Sequence, residues 1–414
     1  MKRMSIPQTC ALGALVFAGA QGAWAGEFYK QRNLVSDSSQ IGAETHDPHL
    51  VNAWGLAFNP FGVAWVADNG TGFSTLYDGD GKPQTLVVTI PGTGKQSGNP
   101  TGVVFYGGPA FMVSKGAVSA ASRFLFVNED GGISGWAPTV DLNHAVRVID
   151  NGASHAVYKG VAVSANGHGP LLYATDFHNG KIDVYDGSFK PVTLPDRPFF
   201  DPNMPSGFAP FGIQAINGDL YVSYAKQDAD RHDDVQGRGL GFIDVFDPDG
   251  RLVRRLASNG ALNAPWGMAL APASFGKFSN RLLVGNFGDG RINAYDLDSG
   301  RWVGRLKGMD RKPVHIDGLW GIAFGNGLQN QPIDTLFFSA GPADEQHGLY
   351  GRIDVVPGEQ FDDTNDAEWR PAIPRRRAAR HPPSPGAGCP RAGGRGYRCP
   401  CAPAARRRPA SVRR

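Results

Sequence analysis

Trp320-Gly321-Ile322-Ala323-Phe324 repeats in outline what Trp54-Gly55-Leu56-Ala57-Phe58 has spelled earlier in the chain. The same outline, a glycine followed by an apolar run, recurs at Thr101-Gly102-Val103-Val104-Phe105, Lys159-Gly160-Val161-Ala162-Val163, Phe211-Gly212-Ile213 and Trp266-Gly267-Met268-Ala269-Leu270. The six glycines stand 47, 58, 52, 55 and 54 residues apart. Short strands repeated at this spacing are the mark of propeller blades, each of four strands.

Working outward from these segments, a second apolar run follows in each unit, at 64–67, 124–127, 171–174, 220–224, 282–285 and 335–339. Turns such as Asp68-Asn69-Gly70 and Asp289-Gly290 then supply the positive φ that a hairpin needs. Third strands read at 74–77, 133–136, 182–185, 242–246, 292–295 and 349–353, and fourth strands at 85–88, 146–149, 252–256 and 302–306. After Asp186 the pattern blurs, because Pro191, Pro195 and Pro198 crowd the segment. The sixth unit has no fourth strand of its own, while 28–35 is a strand without a unit. Pairing the two closes the ring and removes an open sheet edge. The sequence therefore predicts an all-β, six-bladed β-propeller over 26–358, four strands per blade, closed by an N-terminal strand.

The two ends read differently. Lys2 and Arg3, the apolar run 10–20 and Ala23-Trp24-Ala25 together predict a signal peptide at 1–25, which places the mature chain outside the cytoplasm: periplasmic, extracellular or on the cell surface. The run is too short for a transmembrane span. At the other end, 359–414 is an Arg/Pro/Ala-rich tail without hydrophobic period, expected to be disordered. It reads either as a basic arm or as the product of a frame change in GC-rich DNA; the composition favours the latter.

Charge follows the same division. Residues 370–414 hold 13 arginines and no Lys, Asp or Glu, so the chain's net +3 leaves −10 for the first 369 residues. An acidic body argues against nucleic acid as a partner, since phosphate binding needs a basic footprint. The cysteines, Cys10, Cys389, Cys399 and Cys401, all lie in the two ends, so the body has neither a disulfide framework nor a Cys-ligated metal. A monomer is expected.

In a propeller the loop entering the first strand and the loop joining strands two and three open on one face around the channel, the default ligand site. Seven of the ten histidines fall on that face. Asp228-Ala229-Asp230-Arg231-His232-Asp233-Asp234 is the densest carboxylate segment, but it lacks the glycine and the closing glutamate of an EF-hand. The metal candidates are Asp228, Asp230, His232, Asp234, Glu345 and His347, a mixture that suits Ca²⁺ or Zn²⁺. His232, His315 and Asp317 are the candidates for acid–base work, and Trp54, Asp68, Asp176, His178, Trp266 and Trp320 are expected on the ligand face. Structural readings stand beside these. Asp in a hairpin turn bonds its own backbone, and the three Trp, recurring by blade, favour packing between blades over a ligand platform. Gly-x-Ser-x-Gly is absent.

Several segments resemble a family of uncharacterised exported bacterial proteins near the six-bladed NHL and SMP-30-type propellers. They are 50–55 (LVNAWG), 68–79 (DNGTGFSTLYDG), 133–136 (ISGW), 226–234 (KQDADRHDD), 264–267 (APWG), 284–296 (VGNFGDGRINAYD), 316–324 (IDGLWGIAF) and 341–349 (GPADEQHGL). The resemblance implies a secreted propeller without an assigned activity, often with a C-terminal PEP-type anchor that the arginine-rich tail here replaces. The leading expectation is a module that binds a small molecule, a glycan or a protein on its channel face. The alternative is a metal-dependent hydrolase or lactonase of the SMP-30 kind, with Ca²⁺ or Zn²⁺ polarising a carbonyl at the channel mouth. Its ligand pattern cannot be matched residue by residue, and a shared fold does not carry function.

Overall fold

The repeat glycines stand where neighbouring blades come closest. In the computed structural model, which describes residues 28–94 and 97–356, each lies in the innermost strand of a sheet, with the next blade's backbone against it. A Cβ on Gly212 would sit 2.1 Å from the carbonyl oxygen of Trp266, one on Gly267 2.5 Å from that of Trp320, and one on Gly321 2.7 Å from that of Trp54. Only a residue without a side chain lets the inner strands pack this tightly around a common axis. The signal peptide and tail expected from the sequence lie outside the described residues.

Six blade sheets result, antiparallel except that the short strand Thr45–His46 pairs parallel to the end of Phe28–Ser36 at the edge of the sixth. Their inner strands are Ala53–Phe58, Pro100–Phe105, Tyr158–Ala165, Phe208–Ile216, Pro265–Leu270 and Leu319–Phe324, and each touches its two neighbours so that the ring closes. The closing strand is Phe28–Ser36, which runs antiparallel to Leu349–Val356 from Phe28 opposite Val356 to Ser36 opposite Leu349. Leu34 and Val35 of that strand are fully buried.

Three details depart from the expected pattern. The third blade has three strands, Tyr158–Ala165, Pro170–Asp176 and Lys181–Asp186, and only a single bridge from Tyr185 to Pro191 beyond them. Prolines cannot donate to a sheet ladder, which accounts for the missing strand. The fourth strand of the first blade is shorter than expected, Val88–Thr89. The second blade carries an additional hairpin, Met112–Lys115 with Val118–Ala121, between its first and second strands. Apolar clusters fill the gaps between neighbouring blades, including aromatic pairs such as Trp65 stacked on Phe124 at 4.0 Å.

Hydroxyls tie one blade to the next. The Gly160 N–H donates to Thr175 Oγ1 at 2.7 Å, and that hydroxyl donates to the carbonyl of Phe211 at 2.8 Å. Likewise the Gly321 N–H donates to Ser339 Oγ at 3.1 Å, which donates to the carbonyl of Trp54 at 2.5 Å. Each relay satisfies buried backbone groups that the sheet ladders leave over.

Candidate functional site

The residue before each repeat glycine sits at the top of an inner strand, nearest the axis. Three of the six are tryptophans: Trp54, Trp266 and Trp320. They pack together with Phe211, Phe177 and Phe287 and seal the channel on this face. Trp54 and Trp320 stack at 3.4 Å, Phe287 stacks on the same Trp320 at 3.9 Å, and Trp266 meets both tryptophans edge-on. All three tryptophans are buried. Expected on the ligand face, they are the plug beneath it.

The third blade places Lys159 at the corresponding position. Its side chain is 1% exposed and its ammonium lies 4.9 Å from the centre of the Trp54 ring. A buried ammonium requires anionic partners. Lys159 Nζ donates to Glu129 Oε1 at 2.5 Å and to Asp233 Oδ1 at 3.2 Å. The other oxygen of Glu129 accepts from Asn69 Nδ2 at 2.8 Å. Asn52 Nδ2 donates to Asn69 Oδ1 at 3.2 Å and to Glu345 Oε2 at 2.6 Å. His232 Nδ1 is 3.0 Å from Asp233 Oδ1. Loops and strands of five blades thus meet around one ammonium: Asn52 and Asn69 from the first, Glu129 from the second, Lys159 from the third, His232, Asp233 and Asp234 from the fourth, and Glu345 from the sixth.

One ammonium does not balance this many carboxylates, and the acids respond. Burial would lower Lys159, but Glu129 and Asp233 outweigh it and hold the ammonium above its usual range. The hydrogen bond to His232, with Lys159 adding, holds Asp233 well below the usual carboxylate range, and the same bond raises His232. Asp234 is pushed up to about 7, first by burial and then by Glu345 and Asp233, with Lys159 opposing. Burial raises Glu345 against its bond from Asn52. The mouth is therefore acidic, partly protonated near neutrality, and open to solvent at Asp233, whose side chain is 66% exposed.

Of the residues expected from the sequence to act at a site, His232, Asp234 and Glu345 are brought together here. Asp228 accepts the His232 backbone N–H at 3.0 Å and shapes that loop, while Asp230 is exposed to solvent. His347 pairs instead with Asp37 at 2.9 Å. His315 is exposed, and Asp317 accepts from the Ala343 N–H at 2.9 Å. Asp176 is fully buried and accepts from the Val157 N–H at 3.2 Å and from Asn179, a structural clamp. Asp68, also fully buried, ends the second strand of its blade, and burial pushes its carboxyl well above the usual range. The ring of His178 lies 6.1 Å from that of His155. Glu129 and Asp233, carboxylates that the sequence places in loops of the same face, complete the cluster with Lys159, Asn52 and Asn69, which had not been singled out. The signal for Lys159 was present in the repeat: a lysine where three other units have tryptophan.

Could a metal sit here? Glu129, His232 and Asp233 each present a donor atom within 4.8 Å of the others. Two of the three carry the ammonium of Lys159, and Asp233 also holds His232. An ion bound by all three would have to displace Lys159, so the residues as arranged fit an ammonium better than a metal.

No family model matches the chain. It is similar to "Uncharacterized protein R648" of Acanthamoeba polyphaga mimivirus, 35% identical over 334 residues that cover 78% of this chain and 80% of that protein. It is also similar to "Uncharacterized protein L690" of the same virus, 34% identical over 78% of this chain and 85% of that one. These relatives are viral and lend no support to the bacterial exported family expected from the resemblance. Among solved structures, virginiamycin B lyase from Staphylococcus aureus is similar at a TM-score of 0.46 and 12% identity, covering 79% of this chain and 99% of that one. The PQQ-bound aldose sugar dehydrogenase of Streptomyces coelicolor is similar at 0.42 and 13%, covering 80% of this chain and all of that one at 100%. These two are resemblances of fold at most.

Proposed function

The chain belongs to the family of these two mimivirus proteins, and we propose that it is a non-catalytic, exported binding protein whose channel mouth takes a cationic group of a small-molecule or protein ligand. The observation that carries this reading is the surplus of carboxylate around Lys159: Glu129, Asp233, Asp234 and Glu345 meet one buried ammonium, and two of the four acids are raised. A ligand amine or guanidinium would meet Asp233 at the surface and relieve the crowding of Asp234 and Glu345. The tryptophans beneath would serve as a rigid floor. The N-terminal 25 residues support export.

Isothermal titration of the full chain with spermidine, in low salt and EDTA, tests this. Saturable binding is expected, weakened by roughly tenfold or more in Asp233→Asn and in Glu345→Gln. Equal binding by wild type and both variants would overturn the assignment.

A second reading, a metal-dependent hydrolase with Ca²⁺ or Zn²⁺, is favoured by the three donors of Glu129, His232 and Asp233. It requires near-stoichiometric metal in the purified chain and a melting temperature that falls in EDTA. It also requires turnover of lactones or esters that His232→Ala abolishes.

A further inference from the structure

The channel has a second end with the opposite chemistry. Below the plug it narrows at the ring of repeat glycines to a void of about 40 Å³. Beyond that waist the inner strands splay into a chamber of about 570 Å³, open on the face opposite the acidic mouth. All six inner strands contribute to its wall, among them Phe58, Phe105, Val163, Gln214, Leu270 and Phe324. Among the described residues, no Asp, Glu, Lys, Arg or His lines it. Apart from Gln214, these side chains are half-buried rather than packed away. The inner edge of each sheet faces the axis, so backbone N–H and C=O groups without a ladder partner lie between the apolar side chains.

The loops that leave the inner strands of the first and sixth blades on this face carry Phe61, 83% exposed, and Ile333, 60% exposed. These two loops are joined, since Asn326 Nδ2 donates to the carbonyls of Asn59 and Gly62 at 2.6 and 2.7 Å.

We propose that this chamber is a binding site for an uncharged small molecule with an apolar body and a few hydrogen-bonding groups. Its volume lies in the range of small-molecule pockets, and its surface mixes aliphatic and aromatic side chains with at least as large a share of polar groups, the backbone donors and acceptors together with the side chains of Gln214 and Asn217. A charged ligand is disfavoured because no lining side chain would compensate its charge on desolvation. The site is independent of the mouth, from which the glycine ring and the tryptophan plug separate it.

Nile red, neutral and fluorescent in apolar surroundings, is the probe. One saturable site per chain is expected on the full-length protein. Binding should weaken by roughly tenfold or more in Gln214→Trp, which fills the chamber from an exposed position. It should persist in Met309→Ser, which removes an exposed apolar side chain away from the chamber. Should Gln214→Trp lose the near-ultraviolet circular dichroism of the folded protein, Ala323→Leu gives the same test. Absence of saturable binding by the wild type, or unchanged binding by a folded chamber-filling variant, overturns the proposal and leaves the reading of the mouth intact.

Discussion

Lys159 shows how one residue reorganises a repeat. In the other units the position before the glycine is aromatic or threonine, and its side chain packs in the centre. A lysine there cannot be buried alone, and the loops of the other blades supply its carboxylates. The surplus acid has a measurable consequence at Asp234. Its carboxyl titrates at about 7 in the fold and near the usual carboxylate value of about 3.9 when unfolded. A group raised in this way contributes stability that is complete below the unfolded value and is lost as pH rises through the folded one. Asp234→Asn should therefore change the melting temperature little at pH 4, raise it increasingly up to about pH 7, and hold that gain above. A difference that is constant across this range would show that Asp234 is not raised. The sequence exposed only part of the cluster. His232, Asp234 and Glu345 were legible as acidic or imidazole groups in loops of the expected face. Glu129 and Asp233 were legible in the same way, but nothing in the sequence showed that they would share the ammonium of Lys159. Asn52 and Asn69 looked like turn residues, and their role comes from contacts 293 and 60 residues away.

At the level of strands nearly everything was legible, because propeller strands leave a two-residue alternation between marked turns. The closing strand could be assigned by counting: one unit short of a strand and one strand short of a unit. What failed was local. The prolines after Asp186 removed a strand, and the hairpin of Met112–Lys115 with Val118–Ala121 lengthened a loop, which shows only as the longest of the glycine intervals, 58 residues. The glycines themselves are the most specific element of the pattern, and their reason is steric. A Cβ on Gly212 would meet the backbone of Trp266, which cannot turn aside as a side chain could. Gly212→Ala should cost about 1–3 kcal/mol of stability, measured by urea denaturation. A loss of a few tenths of a kcal/mol or less would mean that the blades can shift apart and that the close approach does not set the repeat.

On the scale of the whole molecule, the axis joins two unlike ends. One is acidic and sealed by aromatic residues. The other is a chamber with no charged side chain among the described residues that line it. Composition could not show this division, because the mouth gathers loop carboxylates from distant parts of the chain around Lys159, whereas the chamber is walled by the far ends of the six inner strands. The acidic body, net −10 before the arginine-rich segment, is consistent with a cationic ligand at the mouth. That claim is tested most directly by proton release. A cation bound beside Asp234 and Glu345 favours their charged forms, so binding near pH 7 must expel protons. Titrating spermidine into the full chain in buffers of different ionisation enthalpy measures that number. The account predicts net release at pH 7 that shrinks in Asp234→Asn and fades at pH 9, where the acids are already ionised. Binding without proton exchange at pH 7, or release unaltered in Asp234→Asn, would contradict it.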